Sequence, residues 1–189
     1  CEPLRIVTGG YSAQSGRRLL DKRRAARDNH DVFRRLLMHE PRGHAEMYGA
    51  LPVEPDHPEA DLAVLFLHGE RYSTMCGHAV IALGRWAVDS GLVEAKAPET
   101  EAAIQVPCGL VRARVAVEKT AAGYRRGRVS FRSVPSFVLA RLALKWTRGE
   151  IALDQARDFE SLTGARFTGS VVEETRAGPH RAIVAEVAG

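Results

Sequence analysis

Cysteine is scarce in this chain: three residues among 189, Cys1, Cys76 and Cys108. An odd number with no C-x-x-C spacing argues against a disulfide framework and against a zinc site. A reducing compartment, the cytoplasm, is the simpler expectation. Long apolar runs are missing too, since no stretch approaches the ~18–20 residues needed to span a bilayer. The N-terminus has no basic segment leading into an apolar one, so no signal peptide is expected. The chain opens on Cys1 rather than Met, which suggests an earlier true start. Aromatic residues make up only 6% and do not interleave with the basic ones. The cluster Arg17, Arg18, Lys22, Arg23, Arg24 and Arg27 therefore reads as the solvated face of a helix rather than as a nucleic-acid surface. The signatures G-x-S-x-G and H-E-x-x-H are absent. A serine hydrolase is poorly supported, and His39, His44, His68 and His78 show no metal-ligand spacing.

What remains is the composition of a globular protein, 45% hydrophobic with charge spread along the chain and a net +4 that comes mainly from arginine. The length suits one good core or two small lobes. Leu4 to Thr8 reads as a strand ended by Gly9-Gly10. A long helix from about Gly16 to Met38, capped by Ser15, is predicted from Leu19, Leu20, Ala26, Phe33, Leu36 and Leu37. Pro41 and Gly43 end it and open the loop Glu40–His44, which holds a carboxylate, a guanidinium and an imidazole within five residues. Strands follow at Met47–Val53 and, after the turn Glu54–Pro58, at the apolar run Asp61–Leu67. Further strands are predicted at Ala103–Val106, Leu110–Val117 and Arg128–Phe131, with Cys108 in the turn Pro107-Cys108-Gly109. Alternation of Val111, Ala113, Val115 and Val117 with Arg112, Arg114 and Ala116 marks a sheet with one wet face. A helix is expected from Phe137 to about Trp146, and strands at Ser170–Glu174 and Ala182–Val187. Antiparallel strands mixed with a few helices argue for an α+β fold.

Chemistry concentrates at Ser73-Thr74-Met75-Cys76-Gly77-His78-Ala79-Val80. Downstream, Val80, Ile81, Leu83, Trp86, Ala87 and Val88 give a helix one broad apolar face, stopped by Ser90-Gly91. Cys76 thus falls at or just before a helix N-terminus, where unpaired N–H groups and the helix dipole favour a thiolate and a neighbouring anion. Most free cysteines are small buried hydrophobes, and a histidine at a helix start is often a satisfied neutral ring. Those bland readings stay open beside the reactive one. Gly77 adds weight to the latter, because glycine lets a ligand approach the backbone closely.

Met75-Cys76-Gly77-His78 closely resembles the first catalytic motif of the proline racemase family, which includes 4-hydroxyproline epimerases and trans-3-hydroxy-L-proline dehydratases. Further matching segments run in order: Glu2–Val7, Glu40–Gly49, Ser133–Phe137 and Phe167–Glu174. The context Cys76–Trp86 is most similar to the dehydratases. The resemblance implies a diaminopimelate-epimerase-like α+β fold of two lobes, with substrate held between two helix N-termini and neither metal nor organic cofactor. It implies that Cys76 takes the Cα proton of a proline-type substrate while Gly77 and His78 hold that substrate. In the racemases a second cysteine returns the proton; in the dehydratases a threonine stands there and the 3-hydroxyl leaves.

The family's second motif, a Ser-Pro-Cys/Thr-Gly-Ser/Thr-Gly segment preceded by an aspartate, does not occur in this sequence. Arg141–Leu144 and the residues up to Leu153 resemble the stretch that normally follows it. The expectation is a first lobe over residues 1–140 and a remnant of the second over 141–189, with most of the second lobe missing. The implied partner is a small molecule of proline or hydroxyproline type, with no nucleic acid and no membrane, and a homodimer stays open. A non-catalytic remnant or interaction module is the competing reading, and the missing second motif is what separates the two.

Overall fold

The computed structural model describes residues 3–11, 15–121, 123–133, 145–160 and 166–188. Its centre is β3 (Leu62–His68), apolar from Leu62 to Leu67 because both of its faces are covered. Leu62, Val64 and Phe66 join the core beneath α3 (Gly77–Asp89). Ala63, Leu65 and Leu67 join a second core beneath α1 (Leu19–Asn29) and α2 (Asp31–Met38). Around β3 the chain adds β1 (Leu4–Ile6), β2 (Tyr48–Val53), β4 (Tyr72–Ser73), β5 (Glu99–Val106), β6 (Gly109–Thr120), β7 (Gly123–Arg132), β8 (Arg157–Glu160), β9 (Arg166–Ala177) and β10 (His180–Ala188). All belong to one sheet in the order β1-β2-β3-β5-β6-β7-β10-β9-β8, with β4 paired to β3. The β1–β2 and β3–β5 pairs are parallel and the rest antiparallel. β10 lies beside β7, so strands from both sides of position 140 share the sheet. Position 140 itself, Cys1 and most of the expected Phe137–Trp146 helix lie outside the described residues.

The wet-face reading of β6 holds. Val111, Ala113, Val115 and Val117 are buried against α3, while Arg112 pairs with Glu59 and Glu101 on the other face and Arg114 pairs with Glu186. Helix and sheet approach closely at Gly84, where a Cβ would stand 2.7 Å from the Ala113 Cβ. Cys108 is exposed in the β5–β6 turn, as its Pro-Cys-Gly setting suggested.

The single helix expected over Gly16–Met38 is two helices, broken at His30 (φ −132°, ψ 16°). Asn29, His30 and Asp31 are weak helix formers, and Asp31 opens α2 by bonding Arg34 through both carboxylate oxygens at 2.6 and 2.8 Å. The break changes the phase of the apolar side. Leu19, Ala26 and Met38 are buried, whereas Leu20 and Leu36 point to solvent. Ser15 is not the cap: Arg18 holds that position with no side-chain bond, and Leu19 N–H donates to Asp56 Oδ1 at 2.8 Å from the β2–β3 turn. The basic face is only partly solvated. Lys22 is buried with its Nζ donating to Glu54 O at 2.6 Å, and Arg23 donates to Tyr72 O.

Hydrogen bonds from Arg34 hold the Asp31 carboxyl below its ordinary value of 3.8. A carboxylate depressed on folding adds stability that is complete above its unfolded pKa and is lost as pH falls through the folded one. Urea titrations should therefore find Asp31→Asn less stable than the parent at neutral pH, with the difference closing as pH drops below about 4. A gap that stays constant to the acid limit would contradict this pairing.

Candidate functional site

The chain does not run straight from β3 into the cysteine turn. It reverses at Gly69–Arg71, returns along β4, and only then reaches Cys76, which is the N-cap of α3 in an extended conformation (φ −149°, ψ 108°). The expected placement of a thiol at a helix start is therefore what the fold produces, through a hairpin the sequence pattern did not reveal. Cys76 makes no side-chain cap bond and is 7% exposed. Its own carbonyl accepts the Val80 N–H at 3.1 Å, closing the first helical turn. The amides of that turn point toward the N-terminal end, where an anion is favoured.

His78 lies in the same turn with its Nδ1 3.5 Å and its Nε2 3.7 Å from Cys76 Sγ. The imidazole also meets the Tyr48 ring edge-on, with centroids 4.8 Å apart and an interplanar angle of 85°. Tyr48 in turn packs on His68 at 4.6 Å, its partner across the β2–β3 ladder. Thus the His78 imidazole meets one residue from the start of β2, which is itself backed by one from the end of β3.

Gly77 completes the trio singled out in the sequence. Outside its chain neighbours and its own helix backbone, a Cβ there would come no closer than 3.5 Å to any atom, with Phe131 Cζ nearest, and that is ordinary contact. Packing does not demand glycine at 77, and the missing side chain leaves the backbone of the helix start open to close approach.

The loop Glu40–His44 also resolves. Arg5 of β1 donates to the carbonyls of Leu37 and Arg42, and Gly43 is required because a Cβ would stand 2.1 Å from Met38 O. Arg42 and His44 are exposed on this turn. Tyr48, which meets His78, and His68 behind it carried no local signal in the sequence, and they lie at the ends of β2 and β3. Among the described residues no group of three His, Cys, Asp or Glu side chains is gathered as a metal would require. No described helix is long and apolar enough to cross a membrane.

The Proline racemase family model matches residues 1–141. The chain belongs to the proline racemase family. Over 140 residues it is 58% identical to a trans-L-3-hydroxyproline dehydratase of Xenopus tropicalis, an alignment covering 74% of this chain and 39% of that protein. It is 56% identical over 142 residues to the human trans-3-hydroxy-L-proline dehydratase, with the same 74% and 39% coverage. The chain thus spans about two fifths of the length of these curated relatives.

Two solved structures share the fold. A hydroxyproline epimerase from Agrobacterium vitis, with bound trans-4-hydroxy-L-proline, superposes with a TM-score of 0.85 at 15% identity over 97% of this chain and 84% of that one. A probable proline racemase from Agrobacterium radiobacter K84, with bound carbonate, gives 0.80 at 17% identity over 98% and 86%. This likeness establishes the proline racemase-type α+β fold and runs past residue 141, where the family model stops.

Proposed function

We propose that this proline racemase-family chain carries the proton-abstracting half of a trans-3-hydroxy-L-proline dehydratase-type site. The observation that supports it is the Cys76 thiol at the α3 N-cap with the His78 imidazole 3.5 Å from its sulfur. The identity to dehydratases over the residues shared with them supports this substrate class.

In this reading the substrate carboxylate lies against the first turn of α3, near Gly77 and His78, where the helix dipole steadies the negative charge that builds beside it. The Cys76 thiolate takes the Cα proton. The freed electron pair forms the Cα–Cβ double bond, the bond from C3 to its hydroxyl breaks, and the hydroxyl leaves as water after taking up a proton. The resulting enamine tautomerises to Δ1-pyrroline-2-carboxylate. One base is enough for this course, whereas racemisation needs a second acid on the opposite face. The protein is proposed to act in the cytoplasm on this small molecule.

The test is incubation of the folded chain in D₂O with trans-3-hydroxy-L-proline, L-proline and trans-4-hydroxy-L-proline. Formation of Δ1-pyrroline-2-carboxylate from the first is the expected result. Deuterium entering Cα of the other two with inversion would favour a racemase or epimerase. No product and no exchange with any of the three would leave a non-catalytic lobe and end the enzyme reading for this chain.

A further inference from the structure

Both nitrogens of His78 lie at nearly the same distance from Cys76 Sγ, 3.5 and 3.7 Å, so distance to sulfur alone does not select one of them. The ring also packs against a neighbouring aromatic. Tyr48 stands perpendicular to it at 85° and 4.8 Å, the edge-to-face arrangement in which the positive rim of one ring meets the negative face of the other. Tyr48 is itself backed by His68 at 4.6 Å. That second contact is built into the sheet, since Tyr48 and His68 are ladder partners on β2 and β3. On its other side Tyr48 pairs with Leu4 of β1, so its backbone is held between two strands. His68 is tied down as well, its Nδ1 accepting the Glu70 N–H at 3.4 Å.

We propose that Tyr48, backed by His68, is the positioning residue that sets the His78 imidazole against the Cys76 sulfur. Tyr48 acts through His78 in this assignment. The phenol hydroxyl is not what the assignment uses; the ring is. The inference rests on the reading of Cys76 and His78 as the working pair. Its test reads the thiol directly rather than turnover, so the two can fail separately.

The experiment is alkylation of the folded chain by iodoacetamide at fixed pH, in which the sulfur displaces iodide and its proton passes to the medium. Labelling is followed on the tryptic peptide of residues 72–85, which contains Cys76 and no other cysteine. Tyr48→Leu is expected to change the Cys76 rate by about two- to tenfold, the range that an aromatic pair of ordinary strength would produce. Tyr48→Phe should restore the parent rate. In a His78→Ala background, Tyr48→Leu should have no further effect, which a merely structural loss would not reproduce. His68→Leu provides an independent arm, expected to move the rate in the same direction by less. The proposal is overturned by a parent rate in Tyr48→Leu or in His68→Leu, by failure of Tyr48→Phe to rescue, or by an undiminished Tyr48 effect without His78.

Discussion

Cys76→Ser is expected to lower product formation from trans-3-hydroxy-L-proline by about 10²–10⁴-fold, the contribution of a positioned general base. A serine hydroxyl matches the thiol in shape but is far too weak an acid to be ionised at neutral pH, so the proton acceptor is lost while the site's form is kept. The fold offers an internal control. Cys76 occupies the α3 N-cap without capping, and serine is among the preferred residues there. The variant should melt at the parent temperature or slightly above it, since a hydroxyl that accepts an N–H of the first turn adds a few tenths of a kcal/mol to about 1 kcal/mol. Loss of activity with unchanged melting is the expected pair of results. Retention of the parent rate in a folded Cys76→Ser protein would remove the thiol from the chemistry.

Arg34→Ala should reduce stability by about 3 kcal/mol, near the low end of the range for breaking a buried ion pair because Asp31 keeps partial access to water. Arg34 is 5% exposed and ties three pieces of chain together. Its guanidinium bonds Asp31 at the start of α2, donates to the carbonyls of His68 and Gly69 where β3 turns, and lies over the Tyr72 ring of β4 at 5.9 Å. Removing it leaves Asp31 only its contact with the exposed Arg35 and takes one donor each from the carbonyls of His68 and Gly69, the latter keeping His39. In a chain of this size the loss corresponds to a fall of roughly 6–12 °C in melting temperature. Arg24→Ala serves as the comparison. Its partner Asp21 is 3.4 Å away with both side chains largely exposed, and the change should stay within about 0.5 kcal/mol. Calorimetry on the two variants separates the cases, and equal melting temperatures would show that Arg34 is no more than a surface charge.

The parts of this fold that were legible are those whose cause is local. Period-two alternation on β6 marked its buried and wet faces, and the apolar run Asp61–Leu67 marked the strand that the structure covers on both sides as β3. The apolar stripe from Val80 to Val88 located α3 and therefore its start at Cys76. What failed was whatever depended on a distant partner. The cap of α1 comes from Asp56, thirty-seven positions beyond Leu19, so Ser15 was the nearest plausible cap and the wrong one. The break at His30 gives α1 and α2 separate buried faces, Leu19, Lys22 and Ala26 on one and Arg34 and Met38 on the other, with Leu20 and Leu36 exposed. Lys22 joined the buried set because its ammonium found the carbonyl of Glu54.

The site divides in the same way. Cys76, Gly77 and His78 are neighbours on the chain, so their order and a helix start were enough to bring thiol, small residue and imidazole together. By itself the sequence determined that trio, the α+β class and the family resemblance. What stands against the imidazole was decided only in three dimensions, where strand register sets Tyr48 against His68 and the fold brings the Tyr48 ring to His78. The physical reason is range. Helix phase and capping preference act over a few residues, whereas ring contacts and remote caps exist only after the sheet has fixed which strand ends meet.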